Sequence, residues 1–342
     1  SSDVCSSDLK DHACRPHPYA VAMISVLAGG VGAARFLRGL AEVVSHPDIT
    51  AIVNTGDDTV MHGLSISPDI DTVTYTLSDA IDPERGWGLR NETWTAMESL
   101  DRFAGVRPSS SHAGERWFNL GDNDLATHFY RTSRLAEGAT LSEVTDEIRR
   151  AFGLGMRIVP MSNDPVTTMV HLAADNSVVS FQEYFVKLRH DVAVKGIELR
   201  GIESAAFIDP SLITDADVVV IAPSNPIVSI GPIRAIEGVD ALLAARRESV
   251  VGISPIIAGT ALKGPADRML TELGFDATVV GVARMYAPVC GTLVIDVQDA
   301  HLREEVEACG VRCIVTDTIM SKPGVGASLA RATIDAITTG GK

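Results

Sequence analysis

The sequence predicts an α/β protein built on a doubly wound, Rossmann-like parallel sheet with a mostly helical insertion. Three observations predict it: a first strand that runs into a glycine turn and a helix, apolar runs that recur along the second half of the chain, and helical stretches between them. Near-continuous apolar strands are typical of a parallel sheet covered on both faces. The 342 residues suffice for one large domain or for a core with a sizeable insertion.

The first strand–helix–strand unit lies near the start of the chain. Residues 24–28 are predicted to form a buried strand, 29–32 the turn, 33–44 a helix and 50–54 the second strand. A connection of this kind joins neighbouring strands that run in the same direction, so these two strands are expected to be parallel.

The same rhythm returns after residue 217. Strands are expected at residues 218–222, 249–253, 277–281, 292–296 and 312–315. Between the two parts, helical periodicity prevails over residues 91–100, 124–134 and 141–152. The prediction is therefore a nucleotide-binding core of residues 23–66 and 190–342, interrupted by the insertion, residues 67–189.

The start of the chain and its cysteines bear on location. Residues 1–22 lack the basic start and apolar middle of a secretion signal, so we expect a non-native or disordered leader before Met23. No apolar run is long enough for a membrane helix. The spacing of Cys309 and Cys313 fits no zinc site, and five cysteines are too few for a disulfide scaffold. Reduced thiols and a cytoplasmic location are expected.

The charge balance argues against a nucleic-acid partner. Acidic residues outnumber basic ones by 44 to 29, which gives a formal charge of −15. Such a surplus repels phosphate backbones and leaves little counterion release to favour binding. A small anionic ligand in a local group of backbone amides remains compatible with this composition.

A glycine turn directly follows the first strand. Gly29, Gly30 and Gly32 lie where a helix begins, and glycines there let a phosphate approach the unpaired N–H groups of the helix end. The alternative is a turn that only packs strand against helix, but the position on the first strand–helix turn favours phosphate. Because the second strand ends in Asn54 and no Gly-Lys-Ser/Thr follows the turn, a dinucleotide fingerprint and a P-loop are both disfavoured.

Four aspartates follow the second strand: Asp57, Asp58, Asp69 and Asp71. The carboxyl edge of a doubly wound sheet is where ligands bind, and carboxylates combined with substrate phosphates commonly hold magnesium. We expect Mg²⁺ on Asp57, Asp58 and Asp71. The alternative for the first two is an ordinary solvated loop. Asp71 is more suggestive, because it runs into an apolar segment where an unpaired charge is costly.

A second polar loop follows the most apolar strand. Ser224, Asn225, Pro226 and Ser229 lie in the sequence PSNPIVSIGP, whose hydroxyl, amide and backbone donors suit a nucleotide or a phosphate. The alternative is a rigid turn in which Ser229 caps a helix. A similar proline-containing stretch at residues 254–257 follows the next strand, and two such loops on one edge favour a binding site.

These motifs resemble those of the CofD-like 2-phospho-L-lactate transferases of deazaflavin coenzyme biosynthesis, in particular the actinobacterial FbiA-type branch. The resemblance runs from Met23 to about Ile337 and rests on LAGGVGAARFLRGL, IVNTGDDTVMHGLSISPDIDTVTYTLSD, GWGLRNETW, NLGDNDLATH, MSNDPVTT, APSNPIVSIGPI, GISPIIAG and VTDTIMS. It implies transfer of a phosphoenolpyruvyl or 2-phospho-L-lactyl group from a guanosine diphosphate-type donor to FO, the hydroxylated deazariboflavin. GMP would leave, and the product would be coenzyme F-420-0 or its dehydro form.

The resemblance also implies roles for single residues and a homodimer. Asp71 would orient the attacking ribityl hydroxyl of FO or act as its base. Asn91 and Trp94 would belong to the FO pocket within the insertion, although an isolated tryptophan is more often a core residue. Asn119 is a further binding candidate. Related proteins commonly have basic residues where this chain has Asn119 or Asn123, so a cation that would contact the acceptor or the diphosphate is missing.

Two other functions share parts of these motifs. A YvcK-like nucleotide-sugar-binding regulator without transferase activity resembles the first strand–helix turn, but carries a DDGGSSGR-type loop where this chain has residues 54–58. A Rossmann oxidoreductase would bind NAD(P)H and lacks support here, because the ribose-binding acid is absent.

Overall fold

The structure is a computed structural model, and it describes residues 23–338. The expected leader, residues 1–22, lies outside the described residues. Within the described part the strands are β1 (Ile24–Ala28), β2 (Ile49–Val53), β3 (Thr59–Met61), β4 (Leu64–Ile66), β5 (Arg157–Pro160), β6 (Thr167–Leu172), β7 (Val178–Ser180), β8 (Val194–Arg200), β9 (Val218–Ile221), β10 (Val250–Ile253), β11 (Ile256–Ile257), β12 (Thr260–Ala261), β13 (Thr292–Asp296) and β14 (Arg312–Thr316).

The helices connect and cover these strands. They are α1 (Gly30–Ala41), α2 (Pro68–Leu77), α3 (Thr95–Ser99), α4 (Asp124–Ala136), α5 (Leu141–Ala151), α6 (Ser211–Thr214), α7 (Ile230–Ala235), α8 (Val239–Ala245), α9 (Ala266–Glu272), α10 (Val279–Tyr286), α11 (Arg303–Ala308) and α12 (Val325–Thr338). Short 3₁₀ segments and one π-helical turn join several of them. No helix among residues 23–338 is long and apolar enough to cross a membrane.

The main sheet has seven strands in the order β14-β13-β10-β9-β1-β2-β5, and every neighbouring pair is parallel. The chain builds outward from β1 in two directions, through β2 and β5 on one side and through β9, β10, β13 and β14 on the other. The order in which the chain adds strands to the sheet reverses between β1 and β9. The carboxyl ends of these two parallel strands are therefore the switch point where doubly wound folds bind ligands.

Both faces of the sheet are buried, which explains the continuous apolar runs. Leu27 and Ile221 point into one hydrophobic cluster, whereas Val26 and Val220 point into the other, as the two-residue period of a strand requires. Each such side chain contributes about 1.5–3 kcal/mol when fully buried. The predicted doubly wound α/β architecture is confirmed.

One predicted strand is wrong. Residues 277–281 contain the start of helix α10, and the hydroxyl of Thr278 caps it by accepting a hydrogen bond from the Gly281 N–H at 3.2 Å. The β-branched pair Val279 and Val280 imitates a strand, and residues 279–283 are all buried, as in a strand covered on both faces. Elsewhere α1 begins earlier than predicted, at Gly30, and residues 91–100 hold only the short helix α3.

The segment expected as a mostly helical insertion, residues 67–189, contains both kinds of element. Helices α2 to α5 lie in it, but β5 joins the main sheet beside β2, and β6 and β7 form an antiparallel sheet with β8. The core sheet therefore takes a strand from within the predicted insertion. The division into two domains stays a prediction.

Candidate functional site at the carboxyl edge of the sheet

The glycine turn and the second polar loop meet at the switch point. β1 and β9 are hydrogen-bonded neighbours, so the segments that follow them lie side by side. The Ser224 hydroxyl donates a hydrogen bond to the carbonyl oxygen of Gly29 at 2.6 Å, and both residues are buried. This bond fixes the distance between the two loops that the sequence singled out.

The three glycines of the turn are required for different structural reasons. Gly30 has a φ of +68°, the left-handed conformation that glycine adopts without strain. A Cβ on Gly32 would overlap the carbonyl oxygen of Pro223, so this glycine lets α1 pack closely on the loop after β9. A Cβ on Gly29 would lie 2.7 Å from the Ser229 Cβ and 2.9 Å from an oxygen of Asp69. Gly32 thus serves packing, and the Gly29–Gly30 peptide is the part that faces the site.

A carboxylate of the protein itself faces the start of α1. Asp69, in the first turn of α2, accepts a hydrogen bond from the Asn54 side-chain amide at 2.9 Å. Burial raises its pKa to about 6, and the Asn54 amide and the Gly30 N–H oppose that shift. A phosphate bound at this turn would meet the Asp69 carboxylate. A cation or a proton must therefore accompany the phosphate.

Asp57 and Asp58 form the least satisfied part of the site. Ser67 donates a hydrogen bond to Asp58 Oδ2 at 2.7 Å. The other oxygen of Asp58, and one oxygen of Asp57, are buried without a hydrogen-bond partner among the described residues. Burial raises the pKa of Asp57 well above its usual range, and the charges of Asp69 and Asp58 raise it further. Burial does the same to the pKa of Asp58, with Ser67 and Arg131 opposing.

Asp71 is engaged by a buried arginine. Both terminal nitrogens of Arg131, on α4, contact the Asp71 carboxylate, one of them at 3.1 Å from Oδ2. The ring of His128 lies between Asp71 Oδ2, at 3.8 Å, and Asp124 Oδ2, at 3.4 Å. Tyr75 donates a hydrogen bond to Asp124 at 2.6 Å. The unpaired charge anticipated at Asp71 is therefore matched, and the pair fixes α4 to α2.

Sequence reasoning missed Arg131 and His128. Both lie about 60 residues beyond Asp71, and no local motif joins them. A signal was present: Asp124, His128 and Arg131 follow each other at helical spacing, so α4 carries three charged or polar groups on one face. A polar stripe on the buried side of a helix indicates a partner of opposite charge.

The oxygens available to a magnesium ion belong to Asp57 and Asp58. Carboxylate oxygens are the ligands that Mg²⁺ prefers, and a cation would lower the cost of three crowded, buried carboxylates. Asp71 offers no comparable oxygen, since Arg131 engages both of its own. No group of three or more His, Cys, Asp or Glu side chains within residues 23–338 is placed to hold a metal ion. Oxygens of the substrate or of water would have to complete the coordination.

The second polar loop is shaped by its own side chains. Asn225 Oδ1 accepts hydrogen bonds from the backbone N–H groups of Ile227 and Val228, at 2.9 and 3.4 Å. Pro226 is buried, and Ser229 precedes α7 without donating or accepting a capping hydrogen bond through its side chain. Ser224 and Asn225 thus hold the loop in shape, and most of its backbone N–H groups donate hydrogen bonds within it. The Ser229 hydroxyl is left to contact a ligand.

The candidates for the acceptor side lie in an aromatic segment, residues 85–94. Trp94 is half-buried, with the Arg85 guanidinium 4.8 Å from its ring centroid, and the same guanidinium lies 5.5 Å from that of Trp87, which is 49% exposed. Asn91 is exposed and its carbonyl oxygen accepts a hydrogen bond from the Asn123 side chain at 3.3 Å.

A small hydrophobic cluster connects this segment to the acidic site. Trp94 packs against the cluster that contains Ile66 and Leu120. Ile66 directly precedes Ser67, the hydrogen-bond donor to Asp58, and Asn119 directly precedes Leu120. The structure therefore brings Trp94 and Asn119 to the side of the acidic loop. Asn91 lies further out, on the surface of the same segment.

Comparison with known proteins identifies the family. Residues 24–322 match the family model described as 2-phospho-L-lactate transferase CofD. The chain belongs to the CofD family. It is accordingly a transferase, as the sequence motifs predicted.

Relatives support the same assignment. The chain is 43% identical over 319 residues to the phosphoenolpyruvate transferase of Streptomyces griseus, covering 91% of this chain and 97% of that protein. It is 39% identical over 331 residues to the phosphoenolpyruvate transferase of Mycobacterium tuberculosis, with 91% and 98% covered. A solved structure from the UPF0052 family of Bacillus halodurans has a TM-score of 0.59 at 15% identity, covering 91% of this chain and 99% of that one. That likeness shows the fold alone.

Proposed function

We propose that this CofD-family transferase moves a phosphoenolpyruvyl or 2-phospho-L-lactyl group from a guanosine diphosphate-type donor to FO. GMP leaves, and coenzyme F-420-0 or its dehydro form results. The two relatives above carry the name phosphoenolpyruvate transferase, which favours the phosphoenolpyruvyl group. A cytoplasmic location and a homodimer stay predictions.

The observation that carries the proposal is the set of buried carboxylates at the switch point. Asp57, Asp58 and Asp69 repel one another and leave oxygens unsatisfied, which is unfavourable for a protein that binds nothing there. A diphosphate that brings a divalent cation would remove this repulsion. The first N–H groups of α1, which begins at the adjoining glycine turn, are of the kind that contact phosphate oxygens.

The reaction forms one P–O bond and breaks another. The terminal ribityl hydroxyl of FO attacks the phosphorus that carries the three-carbon acid, and the electron pair of the broken bond stays on the phosphate of GMP. Little further covalent chemistry is needed, so positioning and electrostatic stabilisation supply most of the rate. Bound magnesium would neutralise charge on the diphosphate, and Asp57 and Asp58 are the residues that would hold it.

We assign the proton to Asp69 rather than to Asp71, the residue for which the resemblance implied that role. Asp69, with a pKa of about 6, suits acceptance of the hydroxyl proton near neutral pH. Asp71 is a positioning residue in this account. Its ion pair with Arg131 holds the first turn of α2, which carries Asp69.

Mass spectrometry of the product tests the proposal. The protein is incubated with FO, Mg²⁺ and a guanosine diphosphate donor that carries either acid. The expected result is one GMP for each molecule of product, with the dehydro product made faster. Asp57→Asn should lose at least a hundredfold in rate, whereas Asp79→Asn, an exposed aspartate just after α2, should match the wild type.

The competing regulator hypothesis predicts the opposite pattern. Binding of UDP-N-acetylglucosamine without release of GMP from either donor would overturn the transferase proposal. Product formation with either acid upholds it, and the ratio of the two rates identifies the preferred donor.

A further inference from the structure

Asn54 is a buried amide among the segments that form the site. It directly follows β2, at the position where dinucleotide-binding sheets carry an acidic residue, and its exposed fraction is 0%. Its backbone N–H donates a hydrogen bond to the carbonyl oxygen of Ala28 at 2.9 Å, which ties Asn54 to the end of β1, directly before the glycine turn. A polar side chain buried at this point must find its hydrogen-bond partners within the fold.

The Asn54 side chain connects three parts of the site. Its Oδ1 accepts a hydrogen bond from the Gly56 N–H at 2.9 Å, in the acidic loop. Its Nδ2 donates to Asp69 Oδ2 at 2.9 Å, on α2, and to the carbonyl oxygen of Val228 at 3.3 Å, in the loop after β9. The donor side and the acceptor side of the amide are therefore both engaged.

These partners fix the orientation of the amide. Rotating the amide plane by half a turn would bring Oδ1 toward the oxygens of Asp69 and Val228, and Nδ2 toward the Gly56 N–H, so each attraction would become a repulsion. An aspartate at position 54 would likewise direct a carboxylate oxygen at Asp69. An amide accepts on one side and donates on the other, which a carboxylate cannot do.

The hydrogen bond from Asn54 distinguishes the two oxygens of the Asp69 carboxylate. Oδ2 is held by the amide and lies 2.9 Å from the place that a Cβ on Gly29 would take. Oδ1 lies on the side of Gly30, 3.4 Å from the place of a Cβ there. With Oδ2 held, Oδ1 is directed at the start of α1, where the donor phosphate is expected.

We propose that Asn54 is a positioning residue: by holding Asp69 Oδ2, it directs Asp69 Oδ1 at the start of α1 to take the proton of the attacking hydroxyl. The O–H bond of that hydroxyl breaks as the new P–O bond forms, and the proton passes to Asp69. The inference rests on the proposed function and on the proton acceptor assigned there. Asn54 touches no substrate in this account and acts on the reaction through Asp69.

A double-mutant cycle on the full chain tests this role. Asn54→Ser removes the amide donor but leaves a hydroxyl that can accept the Gly56 N–H, and Asn54→Asp is an isosteric second variant in case the first does not fold. Each is made alone and together with Asp69→Asn. Asn163→Ser is the matched control, because Asn163 is exposed and its side chain accepts a hydrogen bond from the Ser142 N–H at 2.9 Å. Melting temperatures close to that of the control establish that the variants fold.

Two measurements are made: the single-turnover rate of transfer with excess protein, and the affinity for GDP in the presence of Mg²⁺. Asn54→Ser should lower the rate by about tenfold to a hundredfold, because the proton acceptor is misdirected. Its GDP affinity should change by less than about threefold. In the Asp69→Asn background the same substitution should change the rate by less than about twofold, since the group that it positions is already gone.

A merely structural role gives a different pattern. An equal loss of rate in the two backgrounds, or no loss in the folded Asn54→Ser and Asn54→Asp variants, would overturn the positioning role. In both cases the wild type still makes product, and the proposed function stands. A folded wild type that makes no product from either donor would refute the proposed function, and the positioning role with it.

Discussion

The carboxylates around Asp57 and those around Asp71 are buried to a similar degree, yet their surroundings differ. Asp71 faces Arg131, which matches its charge, and the ring of His128. Asp57 faces two further carboxylates, Asp58 and Asp69, and keeps an oxygen without a partner. The first group connects two helices, and the second has the surplus of negative charge that a cation would neutralise. A buried charge that the fold has not matched is therefore the better guide to the ligand site.

The largest expected effect is a loss of stability when Arg131, the partner of the buried Asp71, is replaced. Arg131→Met leaves Asp71 buried without its partner and should lower the free energy of unfolding by about 3–5 kcal/mol. Urea unfolding followed by tryptophan fluorescence measures this. Arg134→Met, on the same helix but part-exposed and paired with Glu147, should cost much less. Equal losses of unfolding free energy in the two variants would mean that the buried Asp71–Arg131 pair contributes no more to stability than a part-exposed pair.

A smaller effect is the pH dependence of stability that the proton of Asp69 causes. The pKa of Asp69 rises from 3.8 to about 6 in the folded chain, so the folded state binds this proton more tightly than the unfolded state. The resulting stabilisation is complete below about pH 4 and is lost as the pH rises through about 6. It amounts to about 3 kcal/mol at most, at about 1.36 kcal/mol per pKa unit.

The difference between wild type and Asp69→Asn isolates this proton. Without metal, the stability of the wild type relative to the variant should fall between pH 4 and pH 7, because the asparagine has no proton to lose. A difference that stays constant over this range would show that burial does not raise the pKa of Asp69.

The smallest expected effect is a gain in stability, opposite to the loss expected for Arg131→Met. Asp57→Asn removes one of three mutually repelling charges, and should raise the metal-free free energy of unfolding at pH 8 by roughly 1 kcal/mol while activity is lost. Asp79→Asn, which lies in solvent, should leave the stability unchanged. A destabilised Asp57→Asn would place Asp57 with Asp71, as a structural residue.

The core strands could be predicted from the sequence because each is a short apolar run bounded by glycine or polar turns. The sequence analysis missed β5, which has only four residues, ends in Pro160 and comes soon after the long helical stretch of α5. The start of α10 resembles a strand in sequence because Val279 and Val280 have high strand propensity. The capping residue Thr278 is the only local signal of a helix there.

For the site, the sequence could identify the acidic stretch and the loops but could not assign their partners. Asp71 looked like the unmatched carboxylate, because Arg131 lies 60 residues away and only the fold brings it near. The glycine turn likewise combined two roles that only geometry separates. Gly32 must be glycine because a Cβ would overlap the Pro223 carbonyl oxygen, and Gly30 because its φ is positive.

The central claim is that Asp57 and Asp58 hold a divalent cation beside the donor diphosphate. Titration of Mg²⁺ into the protein saturated with GDP, for the wild type, Asp57→Asn and Asp58→Asn, tests it most directly. The account predicts that the wild type binds Mg²⁺ in the presence of GDP and that each folded variant binds it at least tenfold more weakly. Equal Mg²⁺ affinity in all three proteins would contradict the account.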